Sequence, residues 1–117
     1  MPPLRDPQLL RCYKNALANW RFTGFVTFSA VALSWIRKNL PGHTYWTIAQ
    51  IMQEFVAAGG EIDQQRETRP EWRDHNYHYD LRIPIGGRLI YIETRLEVDD
   101  PDDDEGSIIE AVNIHEA

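Results

Sequence analysis

"DHNYHYDLRIPIGGRLIYIETRL", residues 74–96, decides the fold. Apolar and polar residues alternate on both sides of Gly86-Gly87, and paired glycines between two alternating runs mark a two-residue hairpin turn. Counting outward from that turn sets the register. Ile83 falls opposite Ile90, Leu81 opposite Ile92 and Tyr79 opposite Thr94, which makes one face apolar. Arg82 falls opposite Tyr91, Asp80 opposite Glu93 and His78 opposite Arg95, which makes the other face polar. Asp80 against Glu93 sets like charges in direct opposition, an unfavourable pair unless a cation lies between them.

Working outward, the alternating period extends over residues 61–68, 77–85, 88–98 and 107–115, four expected strands. On the last of them Ile108, Val112 and Ile114 favour the core, which puts Asn113 and His115 on the polar face. Upstream the period is helical. Asp6 is a good N-cap and Pro7 suits the first helical position of a helix running from about Asp6 to Trp20, with an apolar stripe from Leu9 to Trp20. Residues 22–28, "FTGFVTF", suit a short strand or an extended link. Ser29 caps a second helix, "AVALSWIRKNL", which stops before Pro41-Gly42. Thr44 or Thr47 caps a third, with Ile48, Ile51, Met52 and Phe55 on one face and Gly59-Gly60 at its end. The expected architecture is α+β: two to three N-terminal helices (about residues 6–58) packed on one face of a mostly antiparallel four-stranded sheet (about 61–115), all in a single domain over 1–117.

The 117 residues are 43% apolar and 26% charged, the balance of a folded domain with one core. The lone Cys12 excludes an internal disulfide and reads as a small buried side chain. No apolar run approaches a membrane span, and "MPPLRDPQLL" lacks the basic segment and apolar core of a secretory leader, so the cytoplasm is the expected location. Net charge is −6, whereas a non-specific nucleic-acid binder is usually basic. The acid is concentrated in "DDPDDDE", residues 99–105; without its six acidic side chains the remainder is near neutral. Those side chains, Asp99, Asp100, Asp102, Asp103, Asp104 and Glu105, suit a solvated loop or a surface for a basic partner. They lack the ligand alternation of a calcium loop.

His78, Arg82, Tyr91, Arg95 and His115 all fall on the polar face. Such a set is compatible with metal-independent RNA cleavage. Histidine or glutamate takes the 2′-hydroxyl proton, arginine holds the charged phosphate through paired donors, and histidine or tyrosine protonates the leaving oxygen. The same alternation is also what any sheet with one wet face shows, with Arg82–Tyr91 and Glu93–Arg95 as plain stabilising pairs. His75, His78, Asp80 and His115 match no standard zinc spacing, so neither a metal nor another cofactor is expected. Trp72 and Arg73, in the loop "RPEWRDHN", suit either a binding hot spot or loop-to-core packing.

"FVTFSAVALSWIRKNL", "AAGGEI", "YDLRIPIGGRLIYIETRL" and "IIEAVNIHEA", in that order over about residues 22–116, resemble the small α+β domains of RelE- and MqsR-type toxins and the uncharacterised domains grouped with them. The resemblance implies helices ahead of an antiparallel sheet, metal-independent ribonuclease activity and neutralisation by an antitoxin-like partner. In several related domains the second helix opens with serine, any residue, histidine and alanine; here Val31 takes the histidine's place. Those toxins also tend to be basic. Two readings follow. One is a toxin-like ribonuclease using the polar face, with Lys38 or Arg37 adding a phosphate contact and Trp72 and Arg73 assisting. The other is a non-catalytic interaction module that holds a basic protein with the acidic loop 99–105 and the Trp72 loop. The edge strand 61–68 is a candidate for pairing with a second copy.

Overall fold

The computed structural model describes residues 2–98, 100 and 102–117. The chain is α+β, with helices α1 (Pro7–Ala18), α2 (Ala30–Asn39) and α3 (Tyr45–Ala57) and strands β1 (Val26–Phe28), β2 (Asp63–Arg66), β3 (Tyr77–Ile85), β4 (Arg88–Glu97) and β5 (Ile108–Glu116). Each helix start has a local cause. The Asp6 carboxylate accepts from the Gln8 and Leu9 amides at 3.0 and 2.9 Å. Ser29 Oγ accepts from Ala32 N at 3.1 Å and donates to the Val112 carbonyl at 2.8 Å, tying the head of α2 to β5. Thr44, not Thr47, caps α3, and the two threonines bond each other's backbone amides at 2.9 and 3.4 Å.

The β3–β4 hairpin has the register counted from its turn, from Tyr79 opposite Thr94 to Ile85 opposite Arg88. Gly86 and Gly87 both hold positive φ, 59° and 79°, as a type I′ turn requires. The sheet has five strands rather than four and is mixed: the order is β1-β5-β4-β3-β2, with β1 parallel to β5 and the other pairs antiparallel. Residues 26–28 become a strand because Val26 to Phe28 pair with Ile109 to Ala111, partners at the far end of the chain. β2 is shorter than expected, and Pro3 bridges Asp63, so the N-terminal segment occupies part of the edge offered above for pairing between copies.

Strand β5 corrects a second expectation. Glu93 faces Asn113 but Thr94 faces Ala111, so Val112 is an extra residue, a β-bulge. The bulge reverses the alternation upstream of it. Ile109 and Ala111 are fully buried, while Ile108 and Val112, expected inside, are only half-buried. Ile114 is buried as expected. One core cluster joins Tyr13 and Leu17 of α1, Ile36 of α2, Ile48 of α3 and the inward residues of the sheet. Tyr13 hydroxyl meets Thr94 Oγ1 at 2.9 Å inside it. The polar face lies on the other side of β3, β4 and β5, and β4 is its middle strand.

Candidate functional site

The middle strand carries the most enclosed charges. Arg95 is fully buried. Its Nη1 donates to Glu93 Oε2 at 2.9 Å and its Nη2 to Glu67 Oε2 at 2.6 Å. Arg69 joins both carboxylates, bonding Glu67 Oε1 through Nε at 2.9 Å and Glu93 through Nη2. The half-buried Trp72 ring covers the guanidinium at 4.4 Å. Hydrogen bonding from Arg69, with the charge of Arg95 nearby, holds the Glu67 carboxyl down to about 2. Two arginines and two glutamates neutralise one another here. Arg95, expected to meet a phosphate, is instead sealed under Trp72, because β3 and β5 flank β4 on both sides and the 67–72 segment crosses over it.

Asp80 escapes the opposed Glu93 through different partners. It is fully buried, and it takes His78 Nδ1 at 2.8 Å and the Tyr91 hydroxyl at 2.6 Å on its two oxygens. Burial and the bond to Asp80 push the Tyr91 hydroxyl well above the ordinary tyrosine range. Tyr91 is therefore a poor proton donor to a leaving group. Its ring carries a stack: His115 lies on it at 4.6 Å with 24° between planes, and the Arg82 guanidinium sits 5.7 Å from its centre. Arg82 also pairs with Asp63 at 3.1 Å. His78, Arg82, Tyr91 and His115 thus share one chain of contacts, and Arg95 belongs to the separate buried network.

His115 also opens onto a groove between α2 and β5. Val31, Ser34, Trp35 and Lys38 line it from the helix, Asn113 and His115 from the strand. On α2 these are positions i, i+3, i+4 and i+7, one helical face. Lys38 makes no ion pair among the described residues. At one side Arg88 lies 5.8 Å from the Trp35 ring, donates to the Asn39 carbonyl at 2.6 Å and pairs with Glu116 at 2.7 Å. Arg37 and Arg73 are exposed and outside this groove. Ser34 and Trp35 were missed from sequence, although the helical spacing from Val31 to Lys38 was there to be read.

His75 bonds Glu97 at 2.8 Å, and no three His, Cys, Asp or Glu side chains are grouped to hold a metal among the described residues. In the acidic loop Asp100 and Asp103 accept from the backbone amides of Asp102 and Glu105, both at 3.0 Å. Asp99 and the Asp104 side chain lie outside the described residues. No described helix is long and apolar enough to cross a membrane. No protein-family model matches the chain, and no curated protein or solved structure matches it.

Proposed function

We propose that this chain acts on single-stranded RNA, as a slow metal-independent ribonuclease, in the groove between α2 and β5. The observation that carries the reading is that α2 sets Lys38, which makes no ion pair among the described residues, and Ser34 across one groove from Asn113 and His115. Lys38 supplies charge for a phosphate, and Ser34 and Asn113 supply donors for its oxygens. His115, held by its stack on Tyr91, takes the 2′-hydroxyl proton. One histidine lines the groove, so protonation of the leaving oxygen falls to solvent, and slow turnover follows.

A second reading, binding without cleavage, has its own observation. Val31, in the place that related domains give to histidine, is 64% exposed and lines this same groove. One experiment separates the two. Labelled single-stranded RNA is incubated with the protein in EDTA, and binding and cleavage are scored separately. Wild type and Arg73→Ala should cleave. His115→Ala should lose about 10²-fold or more, the usual worth of one positioned proton-transfer group. Lys38→Ala should bind less, and His78→Ala should lose less activity than His115→Ala. Val31→His should accelerate cleavage by a similar factor. RNA bound but uncut by both wild type and Val31→His would leave the binding reading, and RNA neither bound nor cut would remove both.

A further inference from the structure

On the other side of α2, a cavity of about 260 Å³ lies between β1, the 20–24 turn and the head of α3. Five aromatic side chains line it: Trp20, Phe22, Phe28, Tyr45 and Trp46. Three of them are largely exposed, Phe22 at 64%, Tyr45 at 54% and Trp46 at 44%, a conspicuous cost for rings that the core does not need. The rings do not form a flat slot. Trp20 meets Trp46 edge-on at 4.9 Å and 66°, and Phe28 meets Tyr45 at 6.3 Å and 58°. Steeply tilted rings wall a compact space from several directions, which suits a rounded ligand better than a planar one.

Charge decides what kind of rounded ligand. An aromatic face is negative and draws cations. Trp20 already does so here: the Arg21 guanidinium lies 5.4 Å from its ring, although Arg21 does not line the cavity. Among the described residues no basic side chain lines the cavity to repel a second cation, and the whole chain carries −6. No carboxylate of the described residues lines it either. A primary ammonium entering the cavity would therefore exchange three hydrogen bonds to water for neutral acceptors at best, the hydroxyls of Thr23, Thr27 and Tyr45. A fully methylated ammonium has no such donors to satisfy.

We propose that this cavity is an aromatic cage for a quaternary ammonium group, on a small molecule or on a trimethylated lysine side chain. The test follows the indole N–H resonances of Trp20 and Trp46 while the full chain is titrated with choline chloride, with 3,3-dimethylbutan-1-ol (its uncharged carbon isostere) and with sodium chloride at matched ionic strength. Choline should shift both resonances and bind at least about tenfold more tightly than the isostere, the margin expected of a partly desolvated cation–π contact. Trp46→Leu and Phe22→Leu, both at exposed positions, should weaken choline while leaving the thermal melt in place. A basic peptide with one trimethyllysine, set against the same peptide unmodified, distinguishes the sources: a peptide preference over choline assigns a partner's side chain, and equal affinity assigns a free small cation. An isostere that binds as well as choline would overturn the proposal, as would resonances that move no more with choline than with sodium chloride. This cage is independent of the α2–β5 groove, so its failure leaves the RNA reading untouched.

Discussion

Arg95 sits on the middle strand with no exposed surface, and among the described residues its ion-pair partners are Glu67 and Glu93. Taking one member out of such a set leaves an uncompensated buried charge, a loss of about 3–5 kcal/mol. Arg95→Ala should therefore lower unfolding free energy by that amount in urea titration, and a change below about 1 kcal/mol would mean that water reaches the pair. Glu67 adds a pH dependence whose sign is definite. Its carboxyl is at about 2 in the fold against an ordinary 4.5. A depressed carboxylate stabilises the folded state above its unfolded pKa, and that contribution is lost as pH falls from about 4.5 toward 2. Thermal melts from pH 6 to 2 should fall more steeply for wild type than for Glu67→Gln and converge at the acid end; parallel curves would refute the assignment. The same residues explain why the polar face read ambiguously. Alternation shows that Arg95 leaves the apolar face, but its partners Glu67 and Arg69 and its cover Trp72 arrive from a loop whose path no local pattern records.

At the scale of elements, what the sequence shows is what local chemistry controls. The caps at Asp6, Ser29 and Thr44 and the turn at Gly86-Gly87 each act within a few residues; the first two helix starts and the β3–β4 register stand as expected, and Thr44 is the one of the two candidate threonines that caps α3. Strand β1, which its own residues leave open between a strand and an extended link, and the inward residues of β5 depend on partners distant in sequence; there the expected strand count is one short, and simple alternation puts Ile108 and Val112 on the wrong face. The bulge at Val112 makes a sharp case. Deleting Val112 would leave Ile109, Ala111 and Ile114 inward by simple alternation, with Asn113 and His115 still outward. Its main cost is the Ser29–Val112 hydrogen bond, about 0.5–1.5 kcal/mol. Deleting Glu110 instead would keep Ile109 opposite Leu96 but turn Ala111 outward and drive Val112 into the site of that fully buried alanine, an overpacking cost of about 1–3 kcal/mol on top of the lost Ser29 contact. Chemical denaturation of the two deletion variants should rank them in that order; equal losses would show that the bulge itself, not the inward set, is what β5 requires.

At the scale of the whole molecule, the −6 charge argues against an RNA ligand only if the acid lies where the RNA does. It does not. The acidic loop joins β4 to the start of β5, and the groove lies toward the other end of β5, at Asn113 and His115. From Ser107 to Asn113 the strand carries the chain roughly 20 Å, at about 3.3 Å per residue. That exceeds the Debye length of about 8 Å at physiological salt but not the roughly 30 Å at 0.01 M. Changing Asp100, Asp102, Asp103 and Glu105 to their amides should therefore tighten RNA binding in 0.01 M salt and have little effect at 0.15 M, as measured by fluorescence anisotropy. Lys38 gives about one phosphate contact in the groove, so log affinity should fall with log salt at a slope near −0.7, roughly 2.6-fold between 50 and 200 mM. A slope steeper than about −3 would require a broader basic surface than this groove provides, and an amide effect persisting at 0.15 M would place the RNA against the loop.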